Sequence, residues 1–296
     1  MYMPCCAFCV VGFYICLTME ISDWADFAGP LKYPYHAYKH RKTLQKYWKW
    51  ILATLDKTGT EVVILGRPGV GKSVLAAYLY NETNNLSWEL PQTSTEVEVK
   101  AITFGDWTNL VRVIPGQTTQ ERLQGLSEAF EKSKSLEGVI YVVDFGYTDI
   151  RSPVVKQDAI ENRGLDSIDK IRRFNLLAEL EDFKKVSFLI EKSVANGKQV
   201  PWLLIVVNKA DLFFESTELL EAETYYHPEG GSQFSQLIEN LYKKLGSQRL
   251  KIASVPLSCY QKPFHWNKEE VMSKIGDDDQ KKKMLTHFFN KISQLR

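Results

Sequence analysis

The run Gly66-Arg67-Pro68-Gly69-Val70-Gly71-Lys72-Ser73 constrains this chain more than any other stretch, because it fits G-x-x-x-x-G-K-[ST]. The glycines let the main chain curl until successive N–H groups point inward, and a following helix adds the positive end of its dipole. The context fits the motif: EVVILG is a short apolar strand running into the turn, and Lys72 to Asn81 reads as a helix. Phosphate binding is the expectation. Lys72 would reach the β- and γ-phosphates and Ser73 would ligate Mg²⁺.

From Glu61 onward apolar runs alternate with helical patterns. EVEVKAITF and LVRVI read as two strands of a hairpin, and GVIYVVD, WLLIVV and KIASVPLS as further strands. Helices are expected at Glu121–Lys134, at Leu165–Ala195 stopped by Asn196-Gly197, at 234–245 stopped by Gly246, and at the C-terminus through Met284, Leu285, Phe288, Phe289, Ile292 and Leu295. Continuous Val/Ile/Leu strands between helices imply an α/β fold whose mostly parallel sheet carries helices on both faces.

A second motif names the base. Asn208-Lys209-Ala210-Asp211 closes the WLLIVV strand and fits N-K-x-D. A carboxylate there accepts from the ring N–H and the exocyclic amine of guanine, a pair that adenine does not offer. The Asn side chain and the Lys stem hold loop and ring in place. A site built on that pairing rejects the wrong base, since the buried carboxylate would go unpaired.

With these residues the chain resembles the extended Ras-like small GTPases, in an Arf- or Mgl-like branch, from about Glu61 to the C-terminus. The resemblance implies a P-loop NTPase fold (a Ras-like G domain), GTP and GDP as ligands, Mg²⁺ as cofactor, and a molecular switch that hydrolyses GTP slowly. It also implies an effector or activating protein, which the sequence does not name. Ile114-Pro115-Gly116-Gln117 resembles the D-x-x-G-Q switch element, where the Gly116 N–H senses the γ-phosphate and Gln117 orients the attacking water. Ser258-Cys259 resembles the short guanine-contacting turn. The implied nucleotide-binding set is Gly66, Gly69, Val70, Gly71, Lys72, Ser73, Val74, Gly116, Asn208, Lys209, Asp211, Ser258 and Cys259. Gln117, Lys72 and Thr93 form the catalytic set, and Ser73 and Thr93 hold the metal. Distance from Gly116 favours Thr93 as the switch threonine, with Thr95 the alternative.

Three features depart from the family pattern. Val113 stands where an Asp is usual, a change shared with the Mgl type, and Asp144 is either a substitute acid or a helix cap. Pro68 offers no N–H at a position bordering the γ-phosphate, and its ring could obstruct an inserted arginine. The stretches 148–185 and 221–231 exceed a minimal domain and read as insertions. Arg67, Arg112 and Arg122 read as surface residues, so none is assigned as an arginine finger. His227, His265 and His287 lack partners at metal or triad spacing, and Trp202 and Trp266 read as core or docking residues.

Composition bounds the remainder. The chain has 296 residues with 37 basic and 36 acidic side chains, too balanced for a dedicated nucleic-acid binder. Cys5, Cys6, Cys9 and Cys16 crowd the N-terminus and Cys259 stands alone, so neither a disulfide framework nor a zinc site is expected. A reducing, cytoplasmic compartment follows. Residues 1–18 form an apolar segment with three open readings: a start at Met19, an acylated membrane anchor, or a core element. Residues 19–58 form an extension holding a basic helix (Leu44, Tyr47, Trp48, Ile51, Leu52, Leu55). It either docks on the domain at 59–296 or lies on a membrane surface.

The sequence leaves two other function classes open. One is a GTP-bound scaffold or membrane receptor subunit that does not hydrolyse. The other is a P-loop ATPase, which would make NKAD and the Ile-Pro-Gly-Gln element coincidences.

Overall fold

The computed structural model describes residues 60–79, 97–104, 107–117, 120–132, 135–246, 248–276 and 278–296. The N-terminal segment, the basic helix, Thr93 and Thr95 lie outside these described residues.

Val62, Val63, Ile64 and Leu65 are all buried in β1 (Thr60–Leu65), which pairs in parallel with two neighbours. The turn after it opens α1 (Lys72–Leu79), and the hairpin β2 (Glu98–Phe104) and β3 (Trp107–Val113) follows. Then come α2 (Gln120–Ser127), β4 (Ser135–Val143), α3 (Pro153–Glu161) and α4 (Ile168–Ala195). The chain continues through β5 (Trp202–Val207), α5 (Ser216–Tyr226), α6 (Gln233–Leu245) and β6 (Lys251–Pro256). A small hairpin, β7 (Phe264–Trp266) with β8 (Glu269–Val271), precedes α7 (Asp278–Leu295).

The sheet order is β2-β3-β1-β4-β5-β6, with β2 antiparallel and every other pairing parallel. This is the expected mostly parallel α/β architecture. Burial on both faces explains why β1, β4 and β5 are apolar without alternation. Where the Trp202 ring lies against β4, Gly138 leaves it room, since a Cβ there would collide with the indole. Trp202 and Trp266 are both buried, as expected of core residues.

Caps set the helix bounds. Ser167 caps α4 at its N-terminus, and Asn196 with Gly197 at φ +82° closes it, so the Asn-Gly stop acts as predicted. The helix expected over Glu121–Lys134 is α2 followed by a π-helical turn at Glu128–Lys132. That turn is tied down by Ser193 Oγ donating to the Phe130 carbonyl at 3.0 Å.

The two stretches read as insertions hold ordered helix. The first contains α3 and α4 as far as Lys185. The second contains the end of α5, where Tyr226 is buried against Phe234 with ring centroids 4.9 Å apart. The surface assignment of three arginines is corrected by the fold. Arg122 is buried, Arg112 pairs with Glu61 at 2.9 Å and Glu128 at 3.0 Å, and Arg67 donates to the Asn175 carbonyl at 2.9 Å. Each has a partner more than 15 residues away in sequence, which local pattern does not reveal.

Candidate functional site

The turn between β1 and α1 runs through positive φ at Gly66 (+143°), Gly69 (+83°) and Gly71 (+96°). Two of these are also contacts. A Cβ at Gly71 would strike the Asn208 side-chain amide, and one at Gly69 would come within 2.7 Å of the Asp149 carbonyl. Lys72 Nζ folds back over the turn, donating to the carbonyls of Gly66 at 3.0 Å and Arg67 at 2.9 Å. Burial, helped by the nearby Arg122 charge, lowers its ammonium to about 7. An anion arriving at the turn restores the charged form.

Two adjoining cavities lie along the C-terminal edge of the parallel strands, where ligands of open α/β sheets bind. The first, about 390 Å³, is lined by Gly69, Gly71, Lys72, Ser73, Val74, Gly116 and Gln117 among others. The second, about 780 Å³, is lined by Asn208, Lys209, Asp211 and Tyr260. Gly69, Gly71, Val74 and Asp149 border both, so the two form one trough. Val70 is buried beneath the loop and lends its carbonyl to the base-side contacts described next.

The base end is a set of interlocked loops. Asn208 Nδ2 donates to the Val70 carbonyl at 2.9 Å, and its Oδ1 accepts from the Cys259 N–H at 3.4 Å. Lys209 sits at φ +58°, and its Nζ reaches Asp144 Oδ2 at 2.8 Å and the Tyr147 carbonyl at 2.5 Å. Asp211 Oδ1 accepts from Ser258 Oγ at 2.8 Å. Burial raises the Asp211 carboxyl, opposed by the hydroxyls of Ser258 and Ser273. Its Oδ2 is buried without a hydrogen bond of good geometry among the described residues. A buried acceptor beside a cavity is costly unless something donates to it, and the guanine edge offers two donors. Ser258 and Cys259 stand behind Asp211 and Asn208 as supports, and Cys259 is a buried free thiol whose pKa burial raises.

Asp144 takes neither role considered for it. It is fully buried, bound by Lys209 Nζ and by Thr148 Oγ1 at 2.8 Å, while Ser152 is the residue that caps α3. The carboxylate that lines the phosphate end among the described residues is Asp149. Ser73 lines the same end, so hydroxyl and carboxylate oxygens are available there, the hard donors that magnesium takes alongside phosphate oxygens. No cluster of three His, Cys, Asp or Glu residues suited to a metal occurs among the described residues.

Several wall residues had no signature in the sequence. Thr148, Asp149, Ile150 and Arg151 line the phosphate end, and Lys156 and Tyr260 the base end. For Thr148 to Arg151 the available signal was their position just beyond the strand GVIYVVD, and for Tyr260 its position just beyond KIASVPLS, because strand ends in parallel sheets face the ligand. Asn175 holds that loop in place, its Nδ2 donating to the carbonyls of Gly146 at 2.9 Å and Thr148 at 3.3 Å.

Residues 61–209 match the sequence model of a family described as 50S ribosome-binding GTPase. No curated protein is significantly similar in sequence. Solved structures that resemble the chain include the signal recognition particle receptor SRb-GTP/SRX complex from Chaetomium thermophilum. That match has 15% identity over 69% of this chain and 92% of the other, with a TM-score of 0.41. The mammalian SRP receptor matches with 18% identity over 67% of this chain and 91% of the other, with a TM-score of 0.40. No described helix is long and apolar enough to cross a membrane.

Proposed function

We propose, from the premise that the chain belongs to the 50S ribosome-binding GTPase family of the Ras-like P-loop superfamily, that it is a GTP-binding switch that hydrolyses GTP slowly to GDP and phosphate. The observation that carries the reading is the buried, underbonded Asp211 Oδ2 at one end of a trough whose other end is the Lys72 loop. Asp211 selects guanine, Asn208 fixes the base loop, and the Lys209 stem flanks the ring. The inward-facing loop from Gly66 to Gly71, with Val70 and Val74 below it, and Lys72 hold the phosphates.

Ser73 and, from outside the described residues, Thr93 would hold Mg²⁺, which supplies charge neutralisation at the β- and γ-phosphates when bound. Gln117 lines the phosphate end and orients the water that attacks the terminal phosphorus while the bond to the GDP oxygen breaks. The Gly116–Gln117 segment sits between loop and α2, so the γ-phosphate biases its position, and a partner would sense that change. Turnover is expected at the intrinsic level, from on the order of 10⁻⁴ per second without an arginine at the terminal phosphate to about 10⁻² per second with one in cis.

Single-turnover hydrolysis of GTP by the purified chain with Mg²⁺ tests the reading. Conversion in that range, slowed at least about tenfold in Gln117→Ala, supports a hydrolysing switch, since loss of a water-positioning group costs transition-state stabilisation. Bound GTP that persists equally in both proteins contradicts hydrolysis and indicates a GTP-bound scaffold, whose membrane contact would fall to residues 1–58.

A further inference from the structure

A buried charged pair lies beside the wall of the phosphate end. Arg122, in the first turn of α2, donates through Nη1 to the Gly116 carbonyl and through Nη2 to Asp182 Oδ1 at 2.7 Å. Asp182 is on α4, and its Oδ2 accepts from the Tyr141 hydroxyl of β4 at 3.1 Å. Both side chains of the pair are largely withdrawn from water, at 11% and 13% exposure. The guanidinium is therefore held by Asp182 through one nitrogen while another nitrogen grips the Gly116 carbonyl.

That peptide is the one between Gly116 and Gln117. Its carbonyl, the Gln117 N–H and the Gln117 Cα share one plane, so holding the oxygen constrains the direction of the N–H and the point from which the Gln117 side chain departs. Gly116 itself lies directly on the phosphate loop, where a Cβ would collide with the Pro68 nitrogen and meet Lys72 Nζ. A staple joining α2 to α4 would need only the contact with Asp182. The additional contact with Gly116 joins the pair to the surface that faces the terminal phosphate.

We propose that Arg122, braced by Asp182, is a positioning residue that holds the Gly116–Gln117 peptide against the phosphate loop and thereby sets how strongly the chain distinguishes GTP from GDP. The inference rests on the guanine-nucleotide reading of the trough. Arg122 does not line the cavity; it acts through the peptide. Its planar fork suits the task, because one guanidinium spans two acceptors that an ammonium cannot hold in the same plane.

Equilibrium binding of GDP and of the non-hydrolysable β,γ-imido analogue of GTP, both with Mg²⁺, tests the proposal in the full chain. In Arg122→Ala the analogue-to-GDP affinity ratio falls at least tenfold while GDP affinity stays within threefold of the parent. Asp182→Asn, which preserves volume and keeps the assay interpretable where the alanine variant unfolds, lowers the ratio in the same direction. Arg122→Lys fails to restore it, and single-turnover hydrolysis falls with the ratio. Equal losses for both nucleotides, an unchanged ratio, or full rescue by lysine would overturn the proposal. GDP binding with an unchanged ratio sinks this inference alone, whereas no GDP binding by the parent protein sinks the nucleotide reading beneath it.

Discussion

The Asn208 carboxamide donates to the Val70 carbonyl at 2.9 Å, tying the loop at the base end directly to the loop at the phosphate end. The two loops lie 138 residues apart in sequence and become one rigid wall through that bond. Its other oxygen contact, from the Cys259 N–H, brings a third loop into the same unit.

Truncating that side chain separates the loops. Asn208→Ala leaves the Val70 carbonyl and the Cys259 N–H without their partner, at a cost of about 1–3 kcal/mol for each buried group left unpaired. GTP and GDP affinities are expected to fall together, by roughly 10- to 100-fold at about 1.4 kcal/mol per decade. Titration with a fluorescent guanine nucleotide measures this. A loss confined to one nucleotide would argue against a shared wall.

Gly71 carries a stricter demand. At φ +96° its backbone is strained for any L side chain, and a Cβ would strike the Asn208 amide. Gly71→Ala should cost on the order of 2 kcal/mol, a Tm drop of roughly 4–8 °C in a domain of this size, together with nucleotide binding. Thermal denaturation checks it, and an unchanged Tm would mean that the loop takes another path.

Glu179 gives the fold a pH dependence. It is buried on α4, accepts from the Tyr226 hydroxyl at 2.7 Å, and burial raises it to about 8, with the Asp144 charge adding to the rise. The folded value exceeds the ordinary 4.5, so the fold binds this proton more tightly than the unfolded chain does. The stability it contributes is full below about 4.5 and is lost as pH rises through about 8. Glu179→Gln keeps an acceptor for Tyr226 and removes the titration. Its Tm at pH 9 should exceed that of the parent by roughly 4 °C or more, with a flatter profile between pH 6 and 9. Identical profiles would contradict the assignment.

What was legible in the sequence is what local chemistry compels. The glycines of the phosphate loop are required by their own backbone, and Asn208-Lys209-Ala210-Asp211 follows a strand that buries itself. The Asn196-Gly197 and Gly246 stops likewise act on adjacent turns. Arg122 was not legible, because its environment is supplied by Asp182, 60 residues onward, and by Tyr141 on a different strand. Asp144 was misplaced for the same reason: its partner Lys209 lies 65 residues away. The hairpin β7–β8, which puts Phe264 and His265 at the base end, turns on Asn267 at φ +51° and carries too short an apolar pattern to be seen.

The guanine specificity proposed for the trough depends on Asp211. Calorimetric titration of the chain and of Asp211→Ala with GTP and with ATP, in the presence of Mg²⁺, tests it directly. The parent is expected to bind GTP saturably and at least about 100-fold tighter than ATP, and the variant to lose that preference, because a polar site rejects a base that leaves its buried group unpaired. Equal affinity of the parent for GTP and ATP, or a preference that survives Asp211→Ala, would contradict it.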